Sequence, residues 1–65
     1  MNTELRAARE QSGKTQAQVA KEIGTSEQMY QRYEYDKVEP CVRTAIRIAD
    51  VLSVKSYEDF KKIFG

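Results

Sequence analysis

Apolar side chains recur every three or four residues along most of the chain, the spacing of helices that each bury one face. Punctuation divides this pattern into five segments. The first runs from Thr3 to Ser12, with Leu5, Ala8 and Ser12 on one stripe, and Gly13 stops it. The second runs from Thr15 to Ile23 on Val19, Ala20 and Ile23, and Gly24 stops it. Thr15 and Gln18 form a capping-box pattern at its start. The third starts after Ser26, an N-cap residue, and runs to about Tyr35, with Glu27 placed to suit the positive end of the helix dipole. The fourth runs from about Cys41 to Leu52, with Pro40 near its start. Val42, Ala45, Ile46, Ala49 and Leu52 give it a wide stripe that Ile48 extends, which predicts the most buried helix. The fifth begins at Ser56, with Asp59 three residues on, and carries Tyr57, Phe60, Ile63 and Phe64. No segment alternates with period two for long enough to suggest a strand. The expected fold is all-α, five short helices in one domain spanning residues 1–65.

The connections sharpen this expectation. Helices two and three are joined only by Gly24-Thr25-Ser26. So short a link, with Gly free to take positive φ, forces a sharp turn between them. Ala20, midway along helix two, lets its neighbour cross closely.

Composition narrows the function classes. At 65 residues the chain has room for one modest core. Its 40% hydrophobic content and net charge of +1 suit a globular domain better than a disordered one. No apolar run is long enough for a membrane span, and MNTELRAARE lacks the apolar core of a signal peptide. A cytoplasmic location is expected. Without histidine, neither a Ser-His nor a Cys-His nucleophile can be built, and catalysis is not expected. The lone Cys41 allows no intrachain disulfide and anchors no zinc site; it reads most simply as a small, partly buried hydrophobe. No metal or cofactor is called for. A net charge of +1 is small for a nucleic-acid binder, so any such role must rest on local charge placement.

The stretch TQAQVAKEIGTSEQMYQRYE, residues 15–34, carries the most specific pattern. Gln16 opens the second helix, Ala20 sits at the close crossing, Gly24 is in the turn, and Tyr30 and Tyr33 hold the bulky apolar positions. The flanks extend it with Leu5 and Arg9 in helix one, Lys37 and Pro40 in the loop after Glu34, and IADVL at 48–52. This combination, over about residues 3–60, resembles the phage repressor/Cro family of helix-turn-helix proteins, also called the XRE family, with the lambda-repressor-like fold. The resemblance implies a helix-turn-helix over about residues 15–35, a sequence-specific regulator of transcription, and double-stranded DNA as partner. It implies a homodimer on a palindromic operator, with half-sites about one helical turn apart. With Met1 at its start, the chain reads slightly better as a small Cro-like repressor than as an excised N-terminal domain. A few positions depart from the family. Tyr30 and Tyr33 stand where branched aliphatics are usual, Asp36 where Gly is common, and the 53–56 linker is about one residue longer than typical.

A helical wheel at about 100° per residue separates the third helix into two faces. With Tyr30 at zero, Tyr33 falls near 300°, while Gln31, Tyr35, Gln28 and Arg32 fall between about 100° and 200°. The tyrosine face is expected to pack inward. The opposite face is chemically suited to duplex DNA, since Gln pairs with adenine and Arg with guanine in the major groove. On wheel geometry alone an ordinary solvated surface explains it as well; the resemblance turns the reading toward DNA. It implies base reading by Glu27, Gln28, Arg32 and Gln31, with Glu27 equally explicable as a dipole residue. It implies a phosphate anchor at Gln16, where a helix N-terminus also favours an anion. Lys14, Thr15, Tyr35, Lys37 and Arg43 are further phosphate candidates; Lys14, Lys37 and Arg43 stand equally as solvated charges. Single-strand stacking on the tyrosines is disfavoured, because Tyr35 lies away from Tyr30 and Tyr33.

Glu34, about 40° from Tyr30 on the wheel, lies at the core edge. The resemblance pairs it with Arg9, a structural salt bridge tying helix one to helix three. Phe60, Ile63 and Phe64 form the expected dimer surface; the alternative is that Phe60 caps the monomer core while Ile63 and Phe64 fray. A protein-interaction module of the same fold, an antitoxin or adaptor, is the second function class the sequence allows.

Overall fold

A computed structural model describes all 65 residues. Five helices follow one another without strands: α1 (Thr3–Gln11), α2 (Gln16–Ile23), α3 (Glu27–Glu34), α4 (Val42–Val51) and α5 (Tyr57–Phe64). Four of the five starts are fixed by side-chain caps. Asn2 accepts from the Leu5 amide, Thr15 from Gln18, Ser26 from Met29 and Ser56 from Asp59. The Thr15–Gln18 capping box closes in both directions, with Gln18 Oε1 accepting from the Thr15 amide at 2.8 Å. Only α4 starts uncapped, behind Cys41. The Cys41 thiol is exposed, not the partly buried hydrophobe expected, and lies 3.3 Å from the Thr44 hydroxyl. Hydrogen bonding by Thr44 draws its pKa down.

Left-handed residues turn the chain after each of the first four helices, beginning with Gly13 at φ +69° after α1. Gly24 takes φ +80° and lets α3 leave α2 sharply, while the Thr25 amide returns to the Ala20 carbonyl at 2.9 Å. Asp36, where a glycine was the commoner choice, takes φ +59°. Aspartate reaches this region more readily than most side chains. Ser53 does the same at the start of the long linker, with φ +59°.

The core is one cluster of Leu5, Val19, Ala20, Ile23, Tyr30, Ile48, Leu52 and Ile63, drawn from every helix. α2 lies at its centre, packed on α3 and α4, while α1 packs on α5 and α3. Ala20 is 2% exposed, as its place at a close crossing requires. Tyr30 is completely buried, and Tyr33 meets its ring edge-on at 6.5 Å, half-buried at the rim.

The structure corrects the expected stripe on α4. Ala45, Ile48, Ala49 and Leu52 face the core, whereas Val42 and Ile46 are 75% and 49% exposed. Ile46 and Ile48 lie about 200° apart on a helical wheel, so one helix cannot bury both against one core. At the C-terminal end, Ile63 is 8% exposed and belongs to the core cluster. It is therefore removed from the expected dimer surface, and it does not fray.

Candidate nucleic-acid interface

Helix α3 presents Glu27, Gln28 and Arg32 to solvent, with Gln31 half-buried beside them. Its opposite side carries buried Tyr30 and buried Glu34. The two faces separated by the wheel are thus physically separate in the fold.

What holds α3 in place is a chain of polar contacts that begins in the interior. The Glu34 side chain has no exposed surface, and that of Arg9 is only 12% exposed. Arg9 Nε donates to Glu34 Oε2 at 2.5 Å and Nη2 to Oε1 at 3.4 Å, a two-pronged contact between α1 and α3. Hydrogen bonding to Glu34 raises the guanidinium pKa further above its already high value. The third edge of the guanidinium is used as well, with Nη1 donating to the Lys14 carbonyl at 2.9 Å. A buried carboxylate needs this density of donors to offset its lost hydration.

The network then continues to the surface. Gln16 Nε2 donates to Glu34 Oε1 at 3.2 Å, and Gln31 Nε2 donates to Gln16 Oε1 at 3.1 Å. Gln16 is the first residue of α2 and Gln31 lies midway along α3. Two candidate DNA-contacting side chains are therefore joined to each other and to the buried ion pair. Each amide retains one N–H after these bonds, available to an acceptor outside the protein.

Asn2 holds the same, C-terminal end of α3 through the backbone. Its amide donates to the Glu34 carbonyl at 2.7 Å, its Oδ1 caps α1, and its Nδ2 donates to the Ile63 carbonyl at 2.7 Å. Sequence reasoning passed over this residue. An Asn before Thr3 is a helix-cap signal, but its ties to α3 and α5 join positions too distant in sequence for any local pattern to show.

The remaining candidates are scattered by comparison. Thr15 uses its hydroxyl oxygen in the capping box. Tyr35 ends α3 and is 44% exposed, and Lys37 follows it in an exposed loop. Arg43 is exposed on the first turn of α4, outside the helix-turn-helix. Lys14, expected equally as a phosphate contact or a solvated charge, is engaged within the fold, since its ammonium contacts both Glu22 oxygens at 2.9 and 2.8 Å. A phosphate would have to compete with that carboxylate. No cluster of three or more His, Cys, Asp or Glu side chains is placed to hold a metal, and no helix is long and apolar enough to cross a membrane.

With this geometry in place, comparison with known families is decisive. The helix-turn-helix family HTH_3 matches residues 5–59, most of the chain. The chain belongs to this XRE-type helix-turn-helix family. Membership places it among DNA-binding transcription regulators at the level of the family. The matched segment runs from the first core residue of α1 to the first turn of α5, and so contains the Arg9–Glu34–Gln16–Gln31 network whole. No match emerges among curated proteins or solved structures.

Proposed function

We propose that this protein is a sequence-specific double-stranded DNA-binding regulator, a Cro-like repressor of cytoplasmic location, reading the major groove with α3. The observation that carries this reading is the polar face of α3. Gln28 and Arg32 stand exposed on a helix whose opposite side is locked by Tyr30 and Glu34. Those side chain types pair with adenine and guanine edges, and a rigid support is what direct readout needs. Glu27 accepts from a cytosine amino group at the start of the helix, and Gln31 reads beside Gln28. Gln16 and Lys37 set the register on phosphates, assisted by Thr15, Tyr35 and Arg43, with Lys14 recruited when it leaves Glu22. Phosphate contacts position the helix and base contacts specify the site. One such helix covers little DNA, so the working unit is a homodimer on a palindromic operator, with half-sites about one helical turn apart. Repression then follows from occupying the promoter.

Titration of duplex DNA at several salt concentrations tests this reading. Affinity should fall steeply with salt, since each neutralised phosphate adds about 0.9 to the log–log slope. Absent or salt-independent binding across diverse sequences would replace it with the adaptor or antitoxin reading, which the net charge of +1 suits.

A further inference from the structure

One basic side chain at the proposed DNA surface is already in use. Lys14, the residue before the α2 cap, places its ammonium on both carboxylate oxygens of Glu22, at 2.9 and 2.8 Å. The other two basic phosphate candidates, Lys37 and Arg43, are in no ion pair. With a net charge of +1 the chain has a small excess of cations, so one diverted from DNA carries weight.

The diversion follows from how Lys14 is rooted. Its amide donates to the Arg9 carbonyl at 3.4 Å, and its own carbonyl accepts from Arg9 Nη1 at 2.9 Å. The backbone is thus held beside the Arg9–Glu34 pair, which leaves the side chain as the part free to move. In one direction lies the α2 N-terminus, beside Gln16, where the helix dipole favours a phosphate. In the other lies Glu22, about 9 Å from Gln16 along the helix axis. Paired with Glu22, the ammonium is drawn along α2 and away from the phosphate position. Glu22 gains nothing for the helix by standing there. It lies in the last turn of α2, where the negative end of the dipole disfavours a carboxylate. Its partner is Lys14.

We propose that Glu22 competes with DNA phosphate for Lys14, an autoinhibitory contact that holds affinity for duplex DNA below what the cations of the chain allow. The two side chains are 29% and 44% exposed, so the pair opens at small cost and the competition is graded. A phosphate that takes Lys14 releases Glu22 to water. Glu22 itself touches no DNA; it acts through Lys14 and is a positioning residue. The proposal rests on the DNA reading and adds the residue that limits it.

Titrations of one random-sequence duplex pool, which phosphate contacts bind without regard to sequence, form the test. Wild type, Glu22→Gln, Lys14→Ala and the double variant are compared at several salt concentrations. Neither side chain is buried, so circular dichroism should show the fold retained in all four. Glu22→Gln should bind up to about fivefold tighter than wild type, the worth of a partly exposed ion pair expressed as affinity. Its log–log salt slope should steepen by up to about 0.9. Both changes should be lost when Glu22→Gln is added to Lys14→Ala. An equal gain in the two backgrounds overturns the proposal, because Glu22 would then act by its charge alone. No gain from Glu22→Gln overturns it as well. Failure of the wild-type chain to bind the pool at low salt defeats the DNA reading and the proposal together. Salt-dependent wild-type binding with equal gains, or none, defeats the proposal alone.

Discussion

Gln16 donates a hydrogen bond to the buried carboxylate of Glu34 across 3.2 Å, and so connects the first residue of α2 to the last residue of α3. The contact places the proposed phosphate anchor on the same carboxylate that Arg9 neutralises. Stability and the proposed DNA contact therefore share a set of atoms.

Arg9→Ala should destabilise the fold by about 3–5 kcal/mol, because it strands a fully buried charge. A domain of this size has a total stability on the order of 3–10 kcal/mol, so the variant should be marginal or unfolded at room temperature. Replacing both partners, as in Arg9→Leu with Glu34→Met, should cost less than Arg9→Ala alone. Urea melts of the three chains would decide it. A double variant weaker than the single one would mean that the pair itself, and not relief of a stranded charge, dominates.

Tyr30 is buried with a hydroxyl that has no hydrogen-bond partner. Tyr30→Phe should thus leave stability unchanged or raise it by about 1 kcal/mol. Thermal unfolding measures this, and a loss of that size would show that the hydroxyl is bonded in solution.

The same residue controls behaviour in alkali. Burial first, and the adjoining Glu34 second, push the Tyr30 phenol well above its ordinary value of 10.0. The folded state then holds a proton that the unfolded state releases. Its contribution is fully present below about pH 10 and is lost as pH rises beyond that, by up to about 1.4 kcal/mol per pH unit. Denaturant melts between pH 9 and 11 should show the decline steepening near about pH 10 in wild type and flattening in Tyr30→Phe. Parallel curves would contradict it.

Gln16 and Gln31 should act as a unit on DNA. Their 3.1 Å contact predicts that Gln16→Ala and Gln31→Ala are not additive in binding, with a coupling of about 0.5–3 kcal/mol. Additive losses in a double-mutant cycle would show that the two amides work independently.

Arg32→Ala should cost about 1–3 kcal/mol in affinity and relax preference at one base position. Lys37→Ala should weaken all sequences alike and lower the salt slope. Equal weakening across sequences by Arg32→Ala would make it a phosphate contact instead.

Much of this was legible in the residues because local rules decide it. Thr15, Ser26 and Ser56 cap helices by bonding an amide three residues on, within reach of any sequence reading. The separation of Tyr30 from Arg32 follows from helical pitch alone. What depends on several helices meeting was not legible. Val42 and Ile46 share a pattern with Ala45 and Ala49, and which pair is covered depends on how α4 packs against α2. Asn2 reads as a cap, yet two of its four hydrogen bonds reach Glu34 and Ile63. Gln16 resembles a surface residue because nothing local shows that a buried carboxylate lies beside it.

The central claim is that α3 reads base sequence in duplex DNA. Selection of binding sites from random duplex DNA by the wild-type chain, repeated with Arg32→Ala, tests it most directly. The account predicts a palindromic consensus with half-sites about one helical turn apart, and loss of preference at one position per half-site in the variant. Recovery of no consensus by the wild-type chain, or of the same consensus by both chains, would contradict it.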